Sequence, residues 1–376
     1  MPAGPERPAG GAAGPGGAAG PGIAGRARLF GILSGTWLAQ CCYAFAKFGI
    51  PDLLADQPRS VPELAERTGT DPRALQRMLR AICSAGLVSE VSPGRYQLTG
   101  LGQPLRSGVA RSSRDAALMF GEEVFRSFAE IGYTLQTGKP AFEKVYGQPF
   151  YDYLADNPEA ARTFAAAMGD GPVPAALATC DLTGLGTIVD VGGGNGGLLA
   201  RVLRAQPRAR GVLLEVATSI AQARDRLSAA GVADRVEFAE GSFFAAIPAG
   251  GDVYVLSRVL HNWDDDDAVR LLRAVRDAMP ATGRLLVFEE LLGVAAGPVG
   301  VAAGPVAAAA SVIDLLILLM LPGRDRTRAE YAALLGQAGF EVAAVRPAPL
   351  RSRQTESVIE AVPSAAGTGG QAMPEE

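Results

Sequence analysis

The sequence predicts an α/β protein in which a C-terminal, doubly wound, Rossmann-like domain follows a mainly helical N-terminal domain of the winged-helix type. Three observations indicate this. The 376 residues exceed one average domain. After Gly184 short apolar runs alternate with amphipathic helices, which is typical of βαβ units and a parallel sheet. Before that point the apolar residues recur mostly at helical spacing.

The composition excludes several classes of protein. A net charge of -4 and a pI near 5.4 predict no general attraction to nucleic acid or to anionic lipid. The longest apolar run, Val312 to Leu321, includes Asp314 and is far shorter than the ~20 residues of a bilayer-spanning helix. Prolines and glycines interrupt every candidate signal peptide, and the cysteines form no CxxC pair. We expect a cytoplasmic protein without a metal site, bound neither to membranes nor to nucleic acid.

The N-terminal domain is expected to span residues 26–110, after a Gly/Ala/Pro-rich tail of residues 1–25 that predicts disorder. Ser60 with Glu63 predicts a capping box at the start of one helix. Ser92-Pro93-Gly94 lies between two short alternating runs and predicts a hairpin. Helices followed by a hairpin make a winged helix, for which we favour a packing or dimerisation role over DNA binding.

Residues 111–180 predict a helical connector, and residues 181–362 the doubly wound domain, with a second disordered tail at 363–376. A low-complexity stretch at 293–311 predicts a loop. The predicted strands are Thr187 to Val191, Gly211 to Glu215, Val236 to Ala239, Asp252 to Ser257, Arg284 to Glu289, Phe340 to Val345 and Ser357 to Val362.

A glycine-rich turn follows the first of these strands. Gly192-Gly-Gly-Asn-Gly-Gly197 leads into a helix, so the backbone can approach a ligand closely at the helix N-terminus. The second strand ends at Glu215, whose carboxylate can accept both hydroxyls of a ribose. A nucleotide-like cofactor is implied. These residues alone do not choose between a dinucleotide and S-adenosylmethionine.

The fourth strand is followed by His261, the sole histidine of the chain. Active sites of α/β domains lie at the carboxyl ends of strands. Glu289 ends the fifth strand, and its carboxylate would lie within reach of the imidazole if the two strands are neighbours. A base held in this way suits removal of a proton from a phenol, whose pKa is about 10. A hydride-transfer enzyme could use the same histidine.

Six motifs, in order along the chain, carry a resemblance to a known family: GIPDLL, VDVGGGNGG, VLHNWDD, GRLLVFEE, GRDRT and LLGQAGF. From about Leu29 to Val362 the chain resembles the plant caffeate and isoflavone O-methyltransferases and their bacterial relatives that act on aromatic polyketides and similar metabolites. The resemblance implies transfer of a methyl group from S-adenosylmethionine to a hydroxyl of a small aromatic molecule. It also implies a homodimer formed through the N-terminal domain.

The resemblance also implies a role for individual residues. His261 is the expected general base, flanked by Glu289 and by Asp325, where the family usually has Glu. The expected cofactor contacts are Asp190, Gly192, Gly193, Gly194, Glu215, Ser242, Phe243 and Ser257. The expected acceptor contacts are Phe164, Met168 and Met320. Ser242 replaces a common acidic residue, and Ser257 replaces the Lys of plant members.

Three other interpretations stay open at this point. A member of this family can have lost methylation and perform hydroxylation or decarboxylation. The GxGxxG match also fits an NAD-dependent oxidoreductase. The winged helix fits a regulator that senses a small molecule. By their spacing alone, Phe164 and Met168, one helical turn apart, are more typical of a core than of a pocket, and the resemblance shifts the interpretation toward a pocket wall.

Overall fold

The computed structural model describes residues 23–110, 112–169, 173–292, 305–349 and 356–364. They divide into two units, within residues 1–103 and 104–376. Of the predicted N-terminal tail, residues 1–22 lie outside the described residues. Residues 23–25 are helical, which corrects that part of the prediction. Of the predicted C-terminal tail, residues 365–376 lie outside, and Pro363 ends a strand.

The first unit combines helices with a small antiparallel sheet of order β1-β3-β2. Its elements are α1 (Ile23–Lys47), α2 (Ile50–Leu53), β1 (Arg59–Ser60), α3 (Val61–Thr68), α4 (Pro72–Ser84), β2 (Val88–Ser92) and β3 (Arg95–Leu98). The predicted capping box is present, because the Ser60 hydroxyl accepts from the Glu63 amide and the Glu63 carboxylate accepts from the Ser60 amide. The predicted hairpin is present as β2 and β3, with Gly94 left-handed at φ 71°.

Helix α1 exposes much of its apolar surface in the single chain. Leu29, Leu33 and Trp37, which the helical pattern predicted to share a face, are 56%, 63% and 63% exposed. Over Gly25–Lys47 the helix is also long and apolar enough to cross a membrane, a test that core helices and signal sequences pass as well. Among the described helices it alone meets those two criteria.

The second unit begins with a helical segment. Its helices are α5 (Arg114–Met119), α6 (Phe125–Ala129), α7 (Ile131–Thr137), α8 (Ala141–Tyr146), α9 (Phe150–Asp156) and α10 (Pro158–Gly169), with one π-helical stretch at Phe120–Val124. Apolar side chains of these helices pack with Ile317, Met320 and Leu321 of a later helix in one cluster. Sequence segments nearly 200 positions apart therefore share a core.

The remainder alternates strands and helices, as predicted. Its elements are β4 (Thr187–Val191), α11 (Gly197–Ala205), β5 (Arg210–Glu215), α12 (Ala217–Ala229), β6 (Val236–Glu240), β7 (Val253–Ser257), α13 (Asp265–Ala278), β8 (Arg284–Glu289), β9 (Leu291–Leu292), α14 (Pro305–Met320), β10 (Arg326–Thr327), α15 (Arg328–Gln337), β11 (Phe340–Pro347) and β12 (Ser357–Pro363). The loop predicted at 293–311 is wrong for 305–311, because α14 already begins at Pro305; residues 293–304 lie outside the described residues.

All seven predicted strands join one sheet in the described part of the chain, in the order β11-β12-β8-β7-β4-β5-β6. The sheet is parallel except for β12, which runs antiparallel to both of its neighbours. Alternate side chains pack on opposite faces: Val189 joins the cluster that includes α13 and α15, and Ile188 joins the cluster with α11 and α12. Because the chain leaves β4 toward β5 and later returns to β7 on its other side, the edge above β4 and β7 is a topological switch point, where α/β folds bind ligands.

Candidate active site

Two turns meet at the switch point, one after β4 and one after β7. The β4 turn contains three left-handed glycines, Gly192 at φ 69°, Gly194 at φ 56° and Gly196 at φ 72°. These φ values are in the region that L side chains rarely adopt, which explains why the sequence is glycine-rich here. Gly192 is also crowded, since an added Cβ would lie 3.2 Å from Val259 and 3.5 Å from the ring of Phe243.

Asp190 lies fully buried at the end of β4, directly below this turn. Neither of its carboxylate oxygens has a hydrogen-bond partner among the described residues. Burial, with a smaller contribution from the charge of Glu215, raises its pKa to about 7. A Cβ on Gly193 would overlap the Asp190 carboxyl. An unpartnered buried carboxylate beside a glycine turn fits a cationic group, such as the ammonium of an amino-acid ligand.

Glu215, at the end of the adjacent strand β5, turns back onto the glycines. Its carboxylate accepts hydrogen bonds from the amides of Gly194, at 3.1 Å, and Val216, at 2.8 Å. Burial raises the pKa of Glu215. The Ser219 side chain also hydrogen-bonds this carboxylate. A carboxylate has about four acceptor positions, so acceptor capacity remains for a hydroxyl group such as that of a ribose.

The other predicted cofactor residues surround the same edge. Phe243 packs edge-on against Trp263, with ring centroids 5.8 Å apart. The Ser242 hydroxyl accepts from the Phe244 amide at 3.2 Å, in an exposed position. Ser257 ends β7, in register with Phe288 of β8. Only Phe243 among these three approaches the glycine turn directly.

The turn after β7, residues 258–264, contains no glycine. Arg258 is left-handed at φ 56°, the sole described residue other than glycine with a positive φ. The amides of Val259, Leu260 and His261 then converge on one atom, Oε1 of Glu289, at 3.1, 2.8 and 3.3 Å. Successive amides that converge in this way form an anion-binding concavity. Glu289 is fully buried, and its negative charge stabilises the unusual backbone of the turn.

The imidazole of His261 faces two carboxylates through one nitrogen. Its Nδ1 lies 3.3 Å from Oδ1 of Asp325 and 3.5 Å from Oε2 of Glu289. The parallel pairing of β7 with β8 confirms the predicted closeness of His261 and Glu289. Burial would lower the pKa of His261, but the charge of Glu289 and the hydrogen bond and charge of Asp325 outweigh it, so the pKa lies above the ordinary 6.5.

This arrangement fixes the role of each imidazole nitrogen. With Nδ1–H donating to a carboxylate, the lone pair of the neutral ring is on Nε2. Raising the pKa makes Nε2 a stronger base, and the carboxylates stabilise the imidazolium once it has taken a proton. Asp325 is itself held, because its backbone amide donates to Asp314 of α14 at 3.0 Å. The site can therefore remove a proton from a hydroxyl group.

The predicted acceptor residues do not all come together. Phe164 and Met320 belong to the cluster of helices α5–α10 with α14, and Phe164 packs edge-on against Phe150 at 5.2 Å. Met168 is 47% exposed and lies outside that cluster. The sequence spacing of Phe164 and Met168 therefore does not translate into a shared environment in this chain.

Several residues around His261 were missed from the sequence. Asp264 caps α13, at 2.9 Å from the Asp267 amide, and the next residue, Asp265, binds Arg326. Asn262, to which no role was given, donates to the Arg258 carbonyl at 3.2 Å and closes the turn. Tyr151 of α9 stacks on Trp263, with centroids 5.4 Å apart. Arg326 lies in the GRDRT motif, and Asn262 and Asp265 lie in the VLHNWDD motif, but no spacing rule links positions so far apart.

Comparison with known proteins identifies the class of this site. Residues 128–341 match the sequence model of an O-methyltransferase domain, and residues 30–107 match that of an O-methyltransferase dimerisation domain. A phenazine O-methyltransferase from Lysobacter antibioticus is 39% identical over 338 residues, 89% of this chain and 95% of the relative. A 3-amino-4-hydroxybenzoate 4-O-methyltransferase from Streptomyces cremeus is 38% identical over 332 residues, 88% of each.

A solved structure agrees with these relatives. An O-methyltransferase from neocarzinostatin biosynthesis, in complex with S-adenosylmethionine and 2-hydroxy-5-methyl naphthoic acid, superposes with a TM-score of 0.72 at 31% identity. The match covers 86% of this chain and 95% of that one. Neither a dinucleotide-dependent oxidoreductase nor a family member that hydroxylates or decarboxylates its substrate is supported by these comparisons.

Proposed function

The chain belongs to the O-methyltransferase family, and from that premise we propose that it methylates a phenolic hydroxyl of a small aromatic metabolite, with His261 as the general base. The observation that carries the proposal is the position of Nδ1 between Asp325 and Glu289, which leaves Nε2 to take the proton. The methyl donor of the family is S-adenosylmethionine, which supplies an activated methyl group on a sulfonium.

The proposed cofactor residues are those around the β4 turn. Asp190 offers a buried negative charge without a partner, and the glycines allow close approach of a ligand to the backbone. Glu215 offers its remaining acceptor capacity to a ribose hydroxyl. Gly192, Gly193, Gly194, Ser242, Phe243 and Ser257 complete the proposed set. Support for Phe243 is its contact with Gly192 and Trp263.

The chemistry asks little of the protein beyond alignment and proton removal. A phenol with a pKa of about 10 is only about a thousandth ionised at neutral pH. Because His261 is only 16% exposed, the proton passes to Nε2 in a site with little access to water. Asp325 and Glu289 then stabilise the resulting positive charge. No described cluster of His, Cys, Asp and Glu could hold a metal ion.

We place the acceptor beside the aromatic cluster of α9, α10 and α14. Phe164 and Met320 are the proposed contacts, and a flat aromatic ring suits such surroundings. Met168 keeps a proposed role only if the acceptor extends to the exposed side of α10. We propose that residues 26–110 form the dimer interface, that residues 111–180 contribute to acceptor binding, and that residues 181–362 bind the cofactor.

The exposed face of α1 supports a homodimer. Its residues Leu29, Leu33 and Trp37 border or lie in the range matched by the dimerisation model, 30–107. Burial of such a face against a second copy would stabilise the dimer by about 25 cal/mol for each Å² of apolar surface removed from water. We propose a cytoplasmic homodimer, and we assign the apolar composition of α1 to this interface rather than to a membrane.

The test uses 3-amino-4-hydroxybenzoate, which carries both a phenolic hydroxyl and an aromatic amine. The purified protein is incubated with S-adenosylmethionine, and the product is identified by mass spectrometry and NMR. Methylation at oxygen supports the proposal. Methylation at nitrogen contradicts it. A calorimetric titration in which the protein binds NAD but not S-adenosylhomocysteine also contradicts it. A dihydroxynaphthoate and a hydroxyphenazine serve as further acceptors if the first is not turned over.

A further inference from the structure

We propose that Arg326 is a positioning residue for His261: its buried guanidinium holds the backbone of the turn that presents the imidazole, while the preceding residue, Asp325, holds the imidazole itself. The inference rests on the proposed role of His261 as base. It extends that role to the GRDRT segment, residues 323–327, whose members other than Asp325 have no function in the proposed mechanism.

The contacts of Arg326 bracket His261 on both sides. Its Nη1 donates to the Leu260 carbonyl at 3.1 Å, and its Nη2 donates to the Trp263 carbonyl at 2.7 Å. The side chain is 0% exposed, so these bonds form where water does not compete. Three residues of turn lie between the two carbonyls, and His261 is one of them. A planar guanidinium with several fixed donors can hold both carbonyls at a set separation.

Asp265 anchors this guanidinium from the far side of the turn. Its Oδ1 lies 2.9 Å from Nε and 2.7 Å from Nη2 of Arg326. Burial raises the pKa of Asp265, but the bonds and charges of Arg326 and Arg324 outweigh it, so its pKa lies below the ordinary value. Asp265 therefore carries its negative charge at neutral pH. Because Asp265 begins α13, the turn is fixed to the end of a long helix.

Gly323 provides an independent sign that this segment is shaped to the turn. A Cβ at Gly323 would overlap the His261 carbonyl oxygen, the Asn262 carbonyl carbon and the Trp263 amide nitrogen. Backbone therefore lies directly against backbone at the base, which only glycine permits. Gly323 contacts the same stretch that Arg326 holds through Leu260 and Trp263. The two residues approach it from within one short segment.

The short parallel ladder of β9 and β10 sets the same segment against Glu289. Arg326 pairs with Leu291, two residues after Glu289, and Thr327 pairs with Leu292. The ladder thus fixes the spacing of two segments, because Glu289 lies two residues before β9 and Asp325 lies directly before β10. With Arg326 on the turn and Asp325 on the ring, the base is held in both position and orientation.

The experiment compares Arg326→Lys with Arg324→Lys. Lysine keeps the charge but has one nitrogen, so it cannot reach the Leu260 and Trp263 carbonyls and Asp265 at the same time. Arg324 is the matched control, because it also binds Asp265, at 3.2 Å, and Glu330, but its side chain is 43% exposed and does not touch the turn. Asp265→Asn repeats the test without substituting a buried residue, because the Asp265 side chain is 55% exposed and Arg326 itself is kept.

The primary readout is the imidazole itself. His261 is the sole histidine of the chain, so ¹⁵N- and ¹³C-histidine labelling of untagged protein gives one imidazole signal, which is titrated with S-adenosylhomocysteine bound. In Arg326→Lys we expect the pKa of His261 to fall and the preference for one tautomer to weaken, because the ring leaves the two carboxylates. Arg324→Lys should titrate as wild type does.

The second readout is kinetic. With 3-amino-4-hydroxybenzoate as acceptor, Arg326→Lys should lower kcat by about a hundredfold, while KM and the affinity for S-adenosylhomocysteine stay within about threefold. Asp265→Asn should show the same changes, smaller in size. An unaltered imidazole titration in Arg326→Lys and Asp265→Asn would overturn the inference, as would a parallel loss of cofactor affinity. If His261→Gln keeps full activity, the role of His261 as base fails, and the imidazole titration still decides the role of Arg326.

Discussion

The turns after β4 and β7 lie side by side, and in both of them a carboxylate holds the backbone. We call the glycine-rich turn after β4 the open turn, and the turn after β7, which carries His261, the filled turn. In each, a carboxylate from the end of the next strand accepts backbone amides of the turn: Glu215 binds the first turn and Glu289 the second. In each, one residue is left-handed at φ 56°, Gly194 in the first and Arg258 in the second. The open turn has one side chain, that of Asn195, among five glycines, and it leaves open space beside Gly194. The filled turn carries the base, and it needs further contacts to hold its strained backbone.

The largest expected effect separates the two turns by function. His261→Gln should lower turnover by about 10²- to 10⁴-fold, because a positioned base contributes about that much. Affinity for S-adenosylhomocysteine should not change, since the imidazole faces Asp325 and Glu289 rather than the glycine turn. Calorimetry and single-turnover rates measure the two properties. His261→Ala is the companion variant, and near-wild-type rates in either would remove His261 from the role of base.

The two carboxylates should differ next. Glu289→Ala leaves three amides without this acceptor, two of them buried and one partly buried, and should lower the free energy of unfolding by about 3 kcal/mol, together with a loss of turnover. Glu215→Ala should instead weaken S-adenosylmethionine binding by about ten- to a hundredfold, with a smaller effect on stability. Urea unfolding and calorimetry distinguish them. Equal losses of stability in both variants would contradict the distinction.

A pH profile tests the filled turn alone. Turnover should rise with pH as His261 loses its proton, with a midpoint above 6.5 because its pKa is raised. In Asp325→Asn the midpoint should move to lower pH, since a negative charge that favours the imidazolium is gone, and the plateau rate should fall by about tenfold. The stability that His261 gains from its carboxylates is full below the unfolded pKa and is lost as pH rises through the folded one. A midpoint at the wild-type pH would show that Asp325 does not act on His261.

The smallest effects concern the left-handed residue with a φ of 56° in each turn, Gly194 and Arg258. Gly194→Ala should cost about 1 kcal/mol of unfolding free energy, because an L side chain is strained at φ 56° even where nothing lies within 4 Å. Arg258→Gly relieves the same strain but loses the ion pair with Glu356, at 2.7 Å, so the net change should stay within about 1 kcal/mol. Thermal unfolding with and without S-adenosylhomocysteine measures both. A larger loss in Arg258→Gly than in Gly194→Ala would mean that the ion pair outweighs the strain.

The sequence predicted the open turn more fully than the filled one. Glycines, strand alternation and helix caps are local signals, and the seven strands, the capping box at Ser60 and the hairpin at Gly94 follow from them. His261 and Glu289 could be paired because His261 follows β7 and Glu289 ends β8, and these two strands are neighbours. Asp325 came only from a family resemblance, and Arg326 and Gly323 not at all. They reach His261 across more than 60 positions of sequence, through contacts that no local pattern encodes.

Other failures have the same physical origin. The alanine-rich residues 305–311 predicted a loop from low complexity, whereas alanine is the best helix former and the segment extends α14. The apolar spacing of α1 predicted a helix, which is present, and the single chain leaves several of its apolar side chains exposed. A pattern shows that a face is apolar without showing what covers it.

Helix α14 carries both a proposed acceptor contact and a residue that holds Asp325, which matters for engineering. It carries Met320 in the aromatic cluster, and two turns earlier it carries Asp314, which binds the Asp325 amide at 3.0 Å. Laboratory evolution that admits bulkier acceptors by shifting α14 would also displace Asp325, whose carboxylate lies beside the imidazole. Selections for new acceptors should therefore yield enzymes with altered pH optima, and second-round variants that restore the optimum should cluster near Asp314 and not around Met320.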